Sequence, residues 1–252
     1  MNKKIKYFIG DKRGSHVGVI LSFVIFITCV IFLYIIINPA VKTSEDKTSI
    51  LEYVENQILE NVSANFTSTS IQISSSANPT TKCIKLQDLL ILTEMGSSRI
   101  RVKNESYGIQ QAYFGTGEDF GALIINRNNS DNLFFRIYYS PEFGKLEESS
   151  MSSCTEINYE NYSIGVIQNG VYAFEEKLYT LIEDYQNHYE QLKTDLKIPS
   201  AYEFGLSFTK SDGTAISVGN AGDTAVYAEE IPFQYIDEDA NVQSGFINIK
   251  IW

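Results

Sequence analysis

The sequence predicts an α+β protein: an N-terminal transmembrane helix, then a β-rich extracytoplasmic domain built as an antiparallel sheet or sandwich with one long packed helix. Three observations predict it. The run Val17–Ile37 contains no charge, short segments of alternating polarity fill residues 66–139, and an apolar repeat of helical spacing occupies residues 178–196. We divide the chain into a basic arm (1–16), a transmembrane helix (17–38), a spacer (39–48) and the domain (49–252).

The apolar run is long enough to cross a bilayer, because about 20 helical residues span the hydrocarbon core. Ser22 and Thr28 are tolerated within it, since their hydroxyls can bond back to the preceding turn. Asn38 and Pro39 predict the end of the helix, because proline disfavours helical geometry in the residue before it. A core helix of a soluble protein rarely runs this long without a polar residue, so we favour a membrane helix over a buried one.

The charge distribution predicts the orientation of that helix. The arm carries five of the 20 Lys and Arg residues but one of the 31 Asp and Glu residues, so the rest of the chain is strongly acidic. The positive-inside rule then places the N-terminus in the cytoplasm and the domain outside. An acidic exterior argues against nucleic acid as a partner and against docking of the domain flat on anionic lipid. The partners we expect are the membrane lipid around the helix and surface or filament proteins.

The junction of arm and helix, Lys12-Arg13-Gly14-Ser15 before a long apolar run, resembles the class III signal of type IV prepilins. The resemblance implies cleavage after Gly14, a mature N-terminus at Ser15 and a helix retained as a filament core. Val19 departs from it, since many bacterial prepilins carry glutamate there. Residues 12–34 are also similar to the start of uncharacterised archaeal single-pass membrane proteins, a resemblance that implies no function.

Two segments outside the apolar run have helical periodicity. Ser49–Asn61 predicts an amphipathic helix that lies on the sheet of the domain or pairs with a partner helix. The second segment, residues 178–196, predicts one long helix. We expect its apolar seam to pack within its own domain, because a coiled coil usually needs at least three or four heptads and this segment has about two. Its seam is formed by Leu178, Ile182, Tyr185, Tyr189, Leu192 and Leu196.

Catalytic motifs do not stand out. The sequence has two histidines, His16 and His188, and no G-x-S-x-G, H-E-x-x-H or C-x-x-C motif. Asp237, Asp239 and Asn241 alternate like the start of a calcium loop, but the later ligand positions of an EF-hand are missing, so we interpret them as an acidic hairpin turn. We therefore predict a non-catalytic protein without a cofactor or metal.

Two kinds of covalent modification are open to the domain. Cys83 and Cys154 both lie on the side assigned to the exterior, where they either pair as a disulfide or remain free thiols. Five N-x-S/T sequons fall on the same side and are candidate glycosylation sites: Asn61, Asn65, Asn104, Asn128 and Asn161. Together these observations predict a single-pass cell-surface protein with a binding or structural domain. The alternatives are a pilin-like filament subunit and an ectoenzyme.

Overall fold

The computed structural model describes residues 16–77, 80–95, 99–127, 131–149, 153–220, 222 and 226–252, with side chains at all of these except 17, 37–47 and 118. The chain divides into two compact units, Met1–Ile50 and Leu51–Trp252, which we describe separately. Gly14, Ser15 and the sequon residue Asn128 lie outside the described residues.

Helix α1 spans His16–Val62. Within it, Gly18–Ile36 has a mean hydropathy of 3.1 and is long and apolar enough to cross a membrane. Ser22 and Thr28 donate hydrogen bonds to the carbonyls of the preceding turn, at 2.9 Å and 2.7 Å. The predicted helix end at Asn38 is wrong for the backbone, because α1 continues through Pro39 and through the predicted spacer. One proline costs a helix about 3 kcal/mol, which intact turns on both sides can outweigh.

The second unit begins with the last turns of α1, and their burial explains why these turns belong to the domain. Leu51, Val54, Ile58 and Val62 are all buried. Their spacing of three and four residues places them on one face of the helix. The predicted amphipathic helix therefore exists as the end of α1, with its apolar face in the domain.

Fourteen strands are found in the described part of the second unit, and they form one connected sheet. Most neighbours are antiparallel; β10 with β13, β2 with β8 and β4 with β7 are parallel. The order is β12-β11-β14-β13-β10-β1-β6-β3-β4-β5-β2-β8, with β7 on β4 and β9 on β1. The strands are β1 (Ser63–Ile73), β2 (Cys83–Leu86), β3 (Ile100–Asn104), β4 (Ile109–Gly115), β5 (Leu123–Asn126), β6 (Phe134–Tyr139), β7 (Glu148–Ser149), β8 (Thr155–Ile157), β9 (Tyr162–Ile164), β10 (Gln168–Phe174), β11 (Phe204–Thr209), β12 (Ala215–Val218), β13 (Tyr227–Ile236) and β14 (Val242–Ile251).

The mixed α+β class with a large sheet agrees with the prediction from sequence. Gln168-Asn169-Gly170, which has the composition of a turn, is instead the start of β10. These residues pair with β1, and Thr67 donates a hydrogen bond to the side chain of Asn169 at 2.7 Å. Cross-strand pairing thus overrides local turn preference here.

Three α-helices follow α1 in the described residues: α2 (Leu89–Leu92), α3 (Glu175–Asn187) and α4 (Tyr189–Asp195). The single long helix predicted for residues 178–196 is wrong, because His188 leaves helical geometry with φ −138° and ψ 39°. The break is accompanied by contacts of Tyr189, whose hydroxyl donates to Glu203 and whose ring stacks on Phe204 at 5.6 Å.

Two apolar clusters among the described residues bear on the site, and they differ in size. The larger one covers one face of β1, β3 and β6 and includes Ile71, Val102, Phe135 and Ile137. The smaller one is largely aromatic and contains Phe66, Phe143, Phe174, Ile236 and Ala240. Cys83 at the start of β2 and Cys154 just before β8 form a disulfide bond, with their Cα atoms 4.7 Å apart.

Candidate functional site

Arg101 and Lys103 place two cations on one face of β3. Alternate residues of a strand point to opposite faces of a sheet, and the intervening Val102 is buried in the larger apolar cluster. The register pairs Arg101 with Tyr138 and Lys103 with Arg136 of β6. The amine of Lys103 lies 5.2 Å from the centre of the Tyr138 ring. This face of the sheet is therefore both cationic and aromatic.

A turn of residues 237–241, which we call the acidic turn, connects β13 to β14. Asp237 organises it: Oδ1 accepts from the backbone N–H of Asp239 at 3.0 Å and of Asn241 at 2.8 Å. Oδ2 accepts from the side-chain amides of Asn241 at 2.9 Å and Gln243 at 3.2 Å. The carboxylate is thus occupied by hydrogen-bond donors. Among the described residues, no group of His, Cys, Asp and Glu suited to hold a metal is found.

The two cations of β3 hold the acidic turn in place. Arg101 Nε donates to the carbonyl of Glu238 at 2.9 Å, and Lys103 Nζ donates to the carbonyl of Ala240 at 2.9 Å. Lys103 Nζ also donates to Oδ1 of Asn241 at 2.7 Å. These bonds join positions about half the chain apart, since the partners are separated by 137 and 138 residues.

The acidic turn and the start of α3 border a cleft of about 800 Å³. Its charged lining contains six carboxylates and three cations, so negative charge prevails. The lining residues are Arg99, Arg101, Glu142, Phe143, Gly144, Phe174, Glu175, Glu176, Tyr179, Lys210, Ile236, Asp237, Glu238 and Asp239. A surface of this kind attracts a ligand that carries positive charge.

The cations of the cleft are largely engaged by the protein itself. Lys210 forms an ion pair with Glu175 and lies 5.1 Å from the centre of the Tyr179 ring. The Tyr179 hydroxyl donates to the same carboxylate at 2.8 Å. Arg99 donates to the carbonyls of Pro141 and Phe143, at 2.7 Å and 2.9 Å. Three carboxylates of the cleft, those of Glu176, Glu238 and Asp239, belong to exposed residues, whereas Glu175 and Asp237 are engaged by the protein.

Burial alters the acid–base properties of this region. It lowers the pKa of Lys103, and the nearby charges of Asp237 and Asp239 offset part of that effect. Burial also lowers the pKa of Arg101. The hydrogen bond with Glu175 raises the pKa of Lys210 above its usual value. Burial therefore shifts Lys103 and Arg101 toward their neutral forms, whereas the hydrogen bond with Glu175 favours the charged form of Lys210.

The residues singled out by sequence lie in several separate places. Asn61 and Asn65 are exposed, Asn161 is half-buried, and Asn104 uses Oδ1 to accept from the backbone N–H of Gly108 at 2.8 Å. His188 has a side chain 68% exposed and lies 3.6 Å from Asp184. The structure brings the two cysteines together and places Asp237 and Asp239 in the lining of the cleft, whereas His188 and the four sequon residues named here are not among the residues that line it.

Comparison with models of protein families, with curated proteins and with solved structures finds no match to this chain. The assignment of function therefore depends on the geometry of the chain itself.

Sequence reasoning singled out Asp237, Asp239 and Asn241 but not the β3 cations that contact their turn. Arg101 and Lys103 alternate with buried residues, which is typical of a solvated strand face. Asp237 has a role that the calcium comparison missed, since its carboxylate accepts three hydrogen bonds from within the turn and one from Gln243 of β14.

Proposed function

We propose that this chain is a single-pass membrane protein that displays the Leu51–Trp252 unit, a β-rich and sandwich-like domain, on the outer side of the membrane. The observation that carries the proposal is the segment Gly18–Ile36, which is 19 residues long and has a mean hydropathy of 3.1. Its described side chains are exposed, as expected of residues whose solvent is lipid. The basic arm before it supports a cytoplasmic N-terminus.

The domain acts by binding or as a structural element of the surface. The acidic cleft supports binding, because its volume is about 800 Å³ and exposed carboxylates border it. The exposed position of His188 favours a solvated histidine over a general base. A ligand for the cleft would carry positive charge that meets Glu176, Glu238 or Asp239.

Protease protection tests the topology. In intact cells that produce the chain with an epitope tag at each end, we expect external protease to remove the C-terminal tag and leave the N-terminal tag intact. Permeabilised cells, in which both tags are accessible, are the control. A C-terminal tag that resists protease until the cells are opened would reverse the orientation and contradict the proposal.

A second candidate function is supported by helix α1. This helix runs from His16 to Val62 and includes residues 39–48, which the sequence predicted to be a spacer. A helix that is apolar at one end and part of the domain at the other suits a filament subunit of the kind implied by the resemblance to type IV prepilins. In this candidate, as in the first one, the apolar segment places the chain in the membrane, and a filament would assemble from there.

The mature N-terminus separates the two candidates. If the chain is a filament subunit, terminal sequencing of protein taken from the cell surface is expected to begin at Ser15, and Gly14→Leu should abolish that cleavage. Ser15→Ala serves as a control that should still be cleaved. A surface protein that retains residues 1–14 argues for the simple anchor and against the filament.

A further inference from the structure

Lys103 is a deeply buried amine whose hydrogen-bond partners are neutral. Its exposure is 1%, and its hydrogen bonds go to two carbonyl oxygens, that of Ala240 and Oδ1 of Asn241. Among the described residues, no carboxylate lies within ion-pair distance of its amine. The buried lysines Lys85 and Lys193 differ, because each has a carboxylate partner, at 2.8 Å and 2.7 Å. A buried ammonium without an anionic partner is costly, so burial shifts Lys103 toward its neutral amine.

The side-chain amide of Asn241 is held in reach of this amine. Nζ lies 2.7 Å from Oδ1, and the carbonyl bond adds at most about 1.2 Å to the separation of Nζ from Cγ. Nζ therefore lies no more than about 3.9 Å from Cγ, so a shift of a few tenths of an ångström brings the two atoms within the ~3–3.5 Å at which a nucleophile is poised to attack. On its other side, the amide donates from Nδ2 to Oδ2 of Asp237 at 2.9 Å. An amine, an amide and a carboxylate are therefore arranged in series.

We propose that Lys103 and Asn241 form an intramolecular isopeptide bond and that Asp237 promotes its formation by carrying protons. The Lys103 side chain is 1% exposed, with its amine 5.2 Å from the centre of the Tyr138 ring and bonded to the carbonyl of the buried Ala240, so water is largely kept from the amine. A low-dielectric site of this kind strengthens the interactions that stabilise a tetrahedral intermediate. The modification extends the proposed surface role but does not depend on it.

The reaction is balanced and redox neutral. Lys103 reacts as the neutral amine: the lone pair on Nζ attacks Cγ of Asn241 and moves the carbonyl electrons to Oδ1. Asp237, whose Oδ2 lies 2.9 Å from Nδ2, then relays the surplus proton of Nζ to Nδ2. The Cγ–Nδ2 bond breaks as the oxyanion collapses, and ammonia departs. The products are one secondary amide and one molecule of ammonia.

The bond would connect regions that are distant in sequence. It joins β3 to the acidic turn across 138 residues, between a strand of the larger apolar cluster and a turn that packs into the smaller one. A covalent link there would keep β13 and β14 attached to the rest of the sheet when the chain is stretched or partly unfolded. The gain in stability would resemble that from a disulfide bond, which restricts the conformations of the unfolded chain.

Peptide mass spectrometry of the full-length protein, purified from membranes, reduced and digested with trypsin, tests the proposal. We expect residues 102–127 to remain uncut at Lys103 and to be joined to residues 211–250, with a mass one ammonia below the two peptides together. Cleavage after Lys85 in the same digest is the internal control for trypsin. Peptide 211–250 at full mass, together with normal cleavage after Lys103, would overturn the proposal.

Variants separate this bond from other ammonia losses. Lys103→Arg and Asp237→Asn should each abolish the joined peptide, whereas Lys85→Arg, the matched control at another buried lysine, should retain it. Loss of ammonia from an unjoined peptide 211–250 in the wild-type digest would indicate a succinimide at Asn241 and would also overturn the proposal. Because the wild-type digest decides the question by itself, a variant that fails to fold leaves the test intact.

Discussion

Ile182→Ala is expected to lower the free energy of unfolding of the 51–252 domain by about 2–5 kcal/mol. Ile182 lies on α3 with an exposure of 5%, close to the buried residues Leu178 and Leu181. Removing its side chain takes apolar contacts from the interior and leaves a cavity that a packed sheet fills only in part. A domain of this kind has only about 5–15 kcal/mol of stability, so the loss is large.

Denaturant unfolding and sedimentation of the same samples measure the effect. Ile91→Ala is the matched control, because Ile91 is 62% exposed and its truncation should change stability by less than about 0.5 kcal/mol. We expect both variants to remain monomers. A wild-type dimer that Ile182→Ala converts into an equally stable monomer would show that this helix face is an oligomer interface, contrary to its burial in the structure.

Helical periodicity predicted burial better than it predicted continuity. Leu178, Ile182, Leu192 and Leu196 are buried as their spacing requires, although the helix that carries them breaks at His188. No proline or glycine marks the break. The contacts that accompany it are made by Tyr189 with Glu203 and Phe204, which only the folded chain brings near. Local sequence therefore determines which residues face the core, while tertiary contacts can decide where a helix stops.

The cleft could not be predicted in the same way, because it depends on register between distant strands. Arg101 and Lys103 have the pattern of a solvated strand face, and nothing local indicates that residues 238–241 cover them. The alternating Asp237, Asp239 and Asn241 were recognisable as a turn. The contact that could not be predicted is the hydrogen bond between Asn241 and the buried amine of Lys103, 138 residues away.

The buried cation Lys85 provides the second large effect: Asp119→Asn should destabilise the domain by about 3–5 kcal/mol. Lys85 is 4% exposed and its amine lies 2.8 Å from Oδ1 of Asp119 and 3.4 Å from Oε1 of Glu156. Asparagine keeps the shape of Asp119 but removes the charge that balances the ammonium. Glu156 retains part of the compensation, but its side chain is 59% exposed and its attraction is weakened by water.

A double-variant cycle with Lys85→Met tests this explanation. Methionine removes the buried charge and keeps an apolar chain of similar length, so the double variant Lys85→Met with Asp119→Asn should recover most of the stability lost in Asp119→Asn alone. Glu156→Gln is the matched control and should cost less than about 1 kcal/mol. The explanation is wrong if Asp119→Asn lowers the free energy of unfolding by the same amount in the Lys85→Met background as in the wild-type chain. The Asp119 carboxylate would then act through its own turn and not through the ion pair.

The pH dependence of the same cycle has a definite sign. The hydrogen bond with Asp119 raises the pKa of Lys85 in the folded chain. A group whose pKa is raised on folding contributes its full stabilisation below the pKa of the unfolded chain, about 10.4 for lysine. That contribution is lost as the pH rises from there through the raised pKa of the folded state. The coupling energy between Lys85 and Asp119 should therefore be constant from pH 7 to about 10 and shrink above it. A coupling energy that is already lost when the pH has risen to about 9 would contradict a charged pair.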